Sequence, residues 1–155
     1  MNINKFTQKS MEAVQNCEKL AYEFGNQEID QEHLLKSLID QEDGLILKLI
    51  EKMEINTAHF SNRVTEDLNK KVKVQGGDLR ISNDLNKVLI TAEDEAKAMG
   101  DEYVSVEHLF LSLLKYPNKA MKELFKEYGI TRDRFLTALS TVRGNQRVTL
   151  SLIHI

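Results

Sequence analysis

Apolar residues recur along this chain three and four positions apart, in blocks separated by short polar stretches. In 31–40 they stand at Leu34, Leu35, Leu38 and Ile39, and in 106–115 at Leu109, Phe110, Leu113 and Leu114. That spacing marks one face of a helix. Each block follows a residue suited to an N-cap, Asp30 or Ser105, whose side-chain oxygen can accept a bond from an orphan amide. A helix this short and this apolar cannot bury its face alone. Both are therefore expected at the centre of the fold, with other elements packed against them.

The two blocks are copies. Seventy-five positions separate His33 from His108, and the same offset holds without a gap from Phe6 to Val64. Identical pairs include Glu18/Glu93, Ala21/Ala96, Gly25/Gly100, Leu49/Leu124, Ile55/Ile130 and Phe60/Phe135. Two copies are too few for a solenoid, so one domain with two pseudo-symmetric halves is expected. The units are 5–71 and 81–143, joined by a connector at 72–80 that carries Gly76-Gly77-Asp78, a strong turn signal.

Within each unit the pattern predicts four helices, giving an all-α fold of eight helices with no strand. Thr7 caps the first, which Gly25 stops near Phe24. Helices follow at 31–40, 44–53 and, capped by Asn56, 57–71. The second unit repeats the plan. Ser82 caps a helix that Gly100 stops, helix six covers 106–115, and helix seven starts near Pro117 and ends at Gly129. Thr131 caps the last, at 132–143. The connector is expected to be exposed and mobile. The polar run 144–149 reads as an exit linker. The apolar residues 150–155 read as a non-native tail, because CTG TCT CTT ATA CAC ATC, the end of a sequencing adapter, encodes them.

Composition narrows the function. The chain has 155 residues, 41% of them hydrophobic, enough for one real core. Its 21 basic and 24 acidic residues are interspersed, and no basic face for phosphates is evident, which speaks against nucleic acid. No apolar run is long enough to span a membrane. The start lacks the apolar region of a signal peptide. A single Cys17 fits a reducing compartment, so cytoplasmic placement is expected.

Catalytic chemistry is hard to assemble from these residues. Glu32-His33 and Glu107-His108 suggest metal binding, but adjacent helical residues diverge and no ligand stands four positions on. Both histidines read as packed or capping side chains. Cys17 falls on a core face, and Gly76-Gly77 lacks the Lys-Ser/Thr of a phosphate loop. No catalytic residue, metal site or cofactor is expected.

Binding chemistry is easier to place. Thr7 and Ser82 open helices one and five, Asp101 follows the Gly100 stop, and Glu32 and Glu107 open helices two and six. If the loops after helices one and five lie near these starts, hydroxyls and carboxylates converge there. Glu32 and Glu107 could equally serve only to complement the helix dipole. Residues apolar in one copy alone, Met11, Leu20, Leu85, Tyr103, Val106 and Leu111, are candidates to line a groove where the halves meet.

The stretches Asn4-Lys5-Phe6-Thr7, Asp30-x-Glu32-His33-Leu34-Leu35, Leu45-Ile46-Leu47-Lys48-Leu49-Ile50, Gly100-Asp101, Glu107-His108-Leu109 and Arg143-Gly144-Asn145-Gln146-Arg147-Val148 resemble the N-terminal, Clp-repeat domain of ClpB-type AAA+ protein disaggregases. The resemblance covers 1–149. It implies a stress-response chaperone module of two four-helix repeats that engages unfolded or aggregated polypeptide in a shallow apolar groove, without chemistry of its own. It also implies a parent homohexamer with ATP and Mg in its ATPase rings, working with an Hsp70-type chaperone. No Walker motif stands in this chain, and the isolated domain is expected to be monomeric. Thr7, Asp101 and Glu107 match family positions for substrate handling. The related ClpC-type branch reads phosphoarginine and adaptors through the Glu of each Glu-His-Leu unit, matched here by Glu32 and Glu107. A stand-alone enzyme is the remaining alternative.

Overall fold

A computed structural model describes residues 3–143. A short 3-10 turn at Ile3–Lys5 leads into α1 (Gln8–Glu23), followed by β1 (Glu28–Ile29), α2 (Gln31–Asp40), α3 (Leu45–Lys52) and α4 (Thr57–Asn69). The second repeat runs β2 (Arg80–Ile81), α5 (Asn83–Ala98), α6 (Val106–Lys115), α7 (Lys119–Tyr128) and α8 (Arg132–Arg143). The runs 144–149 and 150–155 lie outside the described residues.

Local chemistry accounts for the helix boundaries. Thr7, Asn56, Ser82 and Asn118 each accept a backbone N–H of the first turn that follows them. Pro117 therefore stands one residue before the cap of α7. Gly25, Gly100 and Gly129 take positive φ where helices end. Glu54 occupies the place in repeat one that Gly129 holds in repeat two, and it adopts the same left-handed φ of 62°.

The repeats are interleaved. Helices α2 and α6 form the centre, each flanked by its own repeat's first and fourth helices. Helix α3 also packs on α6 and α8 of the other repeat, α7 packs on α2, and α1 and α5 reach across to α6 and α2. One core results, with Leu34, Leu35, Leu38, Leu109, Phe110 and Leu113 completely covered. In it Phe110 stacks on Phe135 at 4.5 Å and meets Phe125 edge-on at 5.7 Å.

The expectation of no strand is corrected by two short parallel pairings. β1 pairs with β2, Ile29 opposite Ile81, and Phe6 bridges Val104. The two are related by the repeat: Ser82 N–H donates to Ile29 O and Thr7 N–H to Val104 O, both at 2.9 Å. The physical reason is the extended backbone before each cap, whose amides and carbonyls have no partner within a helix and find one in the facing segment. The connector is exposed, with Val72 at 80%, yet tied down: Val74 N–H donates to Gly25 O at 2.8 Å and Lys73 Nζ to Phe24 O at 2.7 Å.

Candidate functional site

These crossed pairings bring the loop after each first helix to the start of the other first helix. The expected polar residues fall into two pseudo-equivalent clusters. One holds Asp101 and Glu107, with Thr7 joined to the adjoining loop by its N–H to Val104 O while its hydroxyl donates to Ser10 Oγ, Met11 one turn along α1 and Tyr103 next to Val104 in the chain. The other contains Ser82, Leu85 and Glu32, with Asp30.

In each cluster a histidine locks a loop to a helix start. His33 Nδ1 accepts the Asp30 N–H at 2.9 Å, which places the ring proton on Nε2. That nitrogen donates to Asn26 Oδ1 at 2.9 Å, while Asn26 Nδ2 donates to Val72 O at 3.2 Å. His108 repeats the arrangement, accepting the Ser105 N–H at 2.8 Å and donating to Asp101 Oδ2 at 2.6 Å. Burial pushes the His33 pKa down to about 4, with the Lys71 charge adding to it, and burial likewise lowers that of His108. Both rings act as neutral capping groups. Cys17 is also a packing residue, its thiol pushed up to about 12 by burial.

A cation closes each carboxylate pair. Lys71 Nζ lies 2.8 Å from Glu32 Oε2 and 3.3 Å from Asp30 Oδ2. Burial alone would raise the Asp30 pKa, but the Gln31 amide, the Ser82 hydroxyl and Lys71 hold it below the usual carboxylate value. Burial would lower the Lys71 pKa, yet Glu32 and Asp30 raise it. In the other cluster Arg143 bonds Asp101 Oδ1 and lies 3.7 Å from Glu107 Oε2, whose other oxygen accepts the Ser105 hydroxyl.

Every predicted polar site residue is thus built into the fold. Thr7, Ser82, Asp101, Glu107 and Glu32 are all buried. Of the apolar candidates, Leu20, Leu85, Val106 and Leu111 lie in the core rather than along an open groove. Ser10, Gln31 and Glu95, the counterparts of Leu85, Val106 and Leu20, are buried as well, so these positions are interior in both copies and differ in how the interior is filled. Met11 and Tyr103 remain partly exposed. A cleft of about 620 Å³ beside Glu32 is lined mainly by charged and polar side chains, among them Arg63, Asp67, Lys71, Asp84 and Asn118.

Sequence reasoning missed Gln31, Asn118, Lys71 and Arg143. Gln31 is completely buried and binds three backbone groups of repeat two: Asp84 O at 3.1 Å, Tyr116 O at 2.8 Å and the Asn118 N–H at 2.8 Å. Asn118 Nδ2 in turn donates to Glu32 Oε1 at 2.7 Å. A polar residue at a position apolar in the other copy, inside the most buried helix, was the available signal.

A model of the Clp repeat (R) N-terminal domain matches residues 5–128. The chain belongs to this family. It is 40% identical to the chaperone protein ClpB of Nitratidesulfovibrio vulgaris and 36% identical to that of Bacillus anthracis, in each case over 96% of this chain and 18% of the relative. The chain therefore spans less than a fifth of the length of those Clp proteins. Among solved structures, the Hsp104 N-terminal domain of Candida albicans superimposes with a TM-score of 0.80 at 26% identity, covering 93% of this chain and 95% of that one. The ClpV N-domain in complex with a VipB peptide shares the Clp fold at a TM-score of 0.73 and 18% identity, over 95% of this chain and 92% of that one. No described helix of this Clp domain is long and apolar enough to cross a membrane.

Proposed function

We propose that this domain recognises unfolded or aggregated polypeptide for an ATP-dependent disaggregase of the ClpB type. The observation that carries the reading is the likeness to ClpB chaperones across 96% of the chain. The ATPase rings with their ATP and Mg, the homohexamer, an Hsp70-type partner and a cytoplasmic setting belong to the same proposal. The client surface is assigned to the cluster at the starts of α1 and α6, where partly exposed Met11 and Tyr103 flank Thr7, Asp101 and Glu107. Binding there is weak, because a small contact must offset the ordering of a flexible chain. The domain holds the client and does no chemistry on it.

NMR titration of the domain with a permanently unfolded polypeptide tests this. Fast-exchange shifts are expected at the starts of α1 and α6 and around Tyr103. An unchanged spectrum at millimolar polypeptide would sink the assignment.

A further inference from the structure

Both carboxylate pairs carry a cation delivered by the chain as it leaves a repeat. Lys71 comes two residues after α4, and Arg143 is the last residue of α8. The seventy-five-residue offset does not align them: Arg143 falls opposite Leu68, a core residue. The two cations are therefore not a relic of duplication, and each repeat reaches the same electrostatic closure by its own route. At the second pair the Arg143 side chain is 9% exposed and those of Asp101 and Glu107 are 0% and 6% exposed. Arg143 also points a guanidinium nitrogen at Met99 Sδ, 3.8 Å away. Its planar fork suits two acceptors at once.

We propose that Arg143 is an internal occupant of the client site, seated on Asp101 and Glu107 where a cationic side chain of a client peptide would sit. This rests on the function proposed above. A client arginine that takes the two carboxylates displaces Arg143 and loosens the last turn of α8, so occupancy of the site is felt where the chain leaves the repeat. The contact is autoinhibitory. Opening the clasp leaves two buried carboxylates without their cation, so the open form is at most about one-tenth of the population and apparent client affinity is weakened at least about tenfold.

The probes are an unstructured apolar peptide carrying arginine and its twin with citrulline, which keeps the shape and loses the charge. Fluorescence anisotropy compares the wild type with Arg143→Gln and Arg143→Lys. The arginine peptide is expected to bind Arg143→Gln at least about tenfold more tightly than the wild type, with Arg143→Lys restoring the weaker value and the citrulline peptide changing less than twofold. Hydrogen exchange on the wild type is independent of any variant's folding: saturation with the arginine peptide should speed exchange of the amides at 141–143, and the citrulline peptide should not. Wild-type binding that Arg143→Gln leaves unchanged, or unaltered exchange at 141–143, overturns the clasp alone. Failure of every form to bind either peptide overturns the proposed function and the clasp together.

Discussion

Acid should weaken this domain through its capping histidines before its carboxylates respond. His33 is completely buried, and its Nδ1 is committed to accepting the Asp30 N–H. A second ring proton would have to break that bond and place a charge in the core. Its pKa accordingly falls from the ordinary 6.5 to about 4 in the folded state. Between those values the unfolded chain binds the proton and the folded one does not, so stability falls as pH falls. The contribution is fully present above pH 6.5 and lost by about pH 4. At about 1.36 kcal/mol per pH unit the gap amounts to roughly 3 kcal/mol, a large part of the 5–15 kcal/mol typical of a domain. His108 moves in the same direction, so it adds to the slope. Asp30 contributes only at lower pH, because its folded value lies below the ordinary 3.8 and its stabilisation is lost as pH falls through that value. The assay is urea unfolding at intervals from about pH 7 to pH 4.5. His33→Gln is the control, since Gln at this position of a capping box still accepts the cap amide but does not titrate. The variant should lose about 1 kcal/mol at pH 7 with its Asn26 contact and then show a flatter pH dependence than the wild type. Wild-type stability that is level across this range, or a His33→Gln slope as steep as the wild type, refutes the reasoning.

Two further outcomes follow from buried or strained positions. Gln31→Ala strips three repeat-two backbone groups of their partner, so chemical denaturation should report a loss of about 2–4 kcal/mol. Glu54→Gly relieves a left-handed residue and should stabilise by about 0.5–1 kcal/mol, raising the thermal midpoint by a few degrees; a lowered midpoint would refute the strain.

The helices were legible because each is written twice and punctuated. The ranges 31–40, 106–115 and 132–143 coincide with α2, α6 and α8, where an apolar stripe and a cap agree. What stayed hidden was how the copies engage. Hydrophobic spacing says which face of α3 is buried, but nothing in Ile46 or Leu49 says that the covering helices include α6 and α8 of the other repeat. The pairing of Ile29 with Ile81 was equally invisible, since two residues carry no period. The candidate polar positions could be picked out as a group because most of them stand at helix starts, where caps announce them. Their partners could not, since Lys71 and Arg143 read as ordinary basic residues near helix ends.

Interleaving also governs how the proposed client site can be probed. Thr7 caps α1, Asp101 holds His108 and Arg143, and Glu107 holds Ser105 and Arg143. Removing one partner of such a buried network costs on the order of 3–5 kcal/mol, because the other is left uncompensated. Loss of client binding in Asp101→Ala or Glu107→Ala would therefore confound a damaged fold with a damaged site. Met11 and Tyr103 escape this ambiguity. Each is partly exposed, Tyr103 next to Val104 in the chain and Met11 one turn after Thr7 with part of its side chain on the core, so truncation there removes contact surface, at some packing cost for Met11, while the caps, the histidine locks and the Arg143 clasp stay in place.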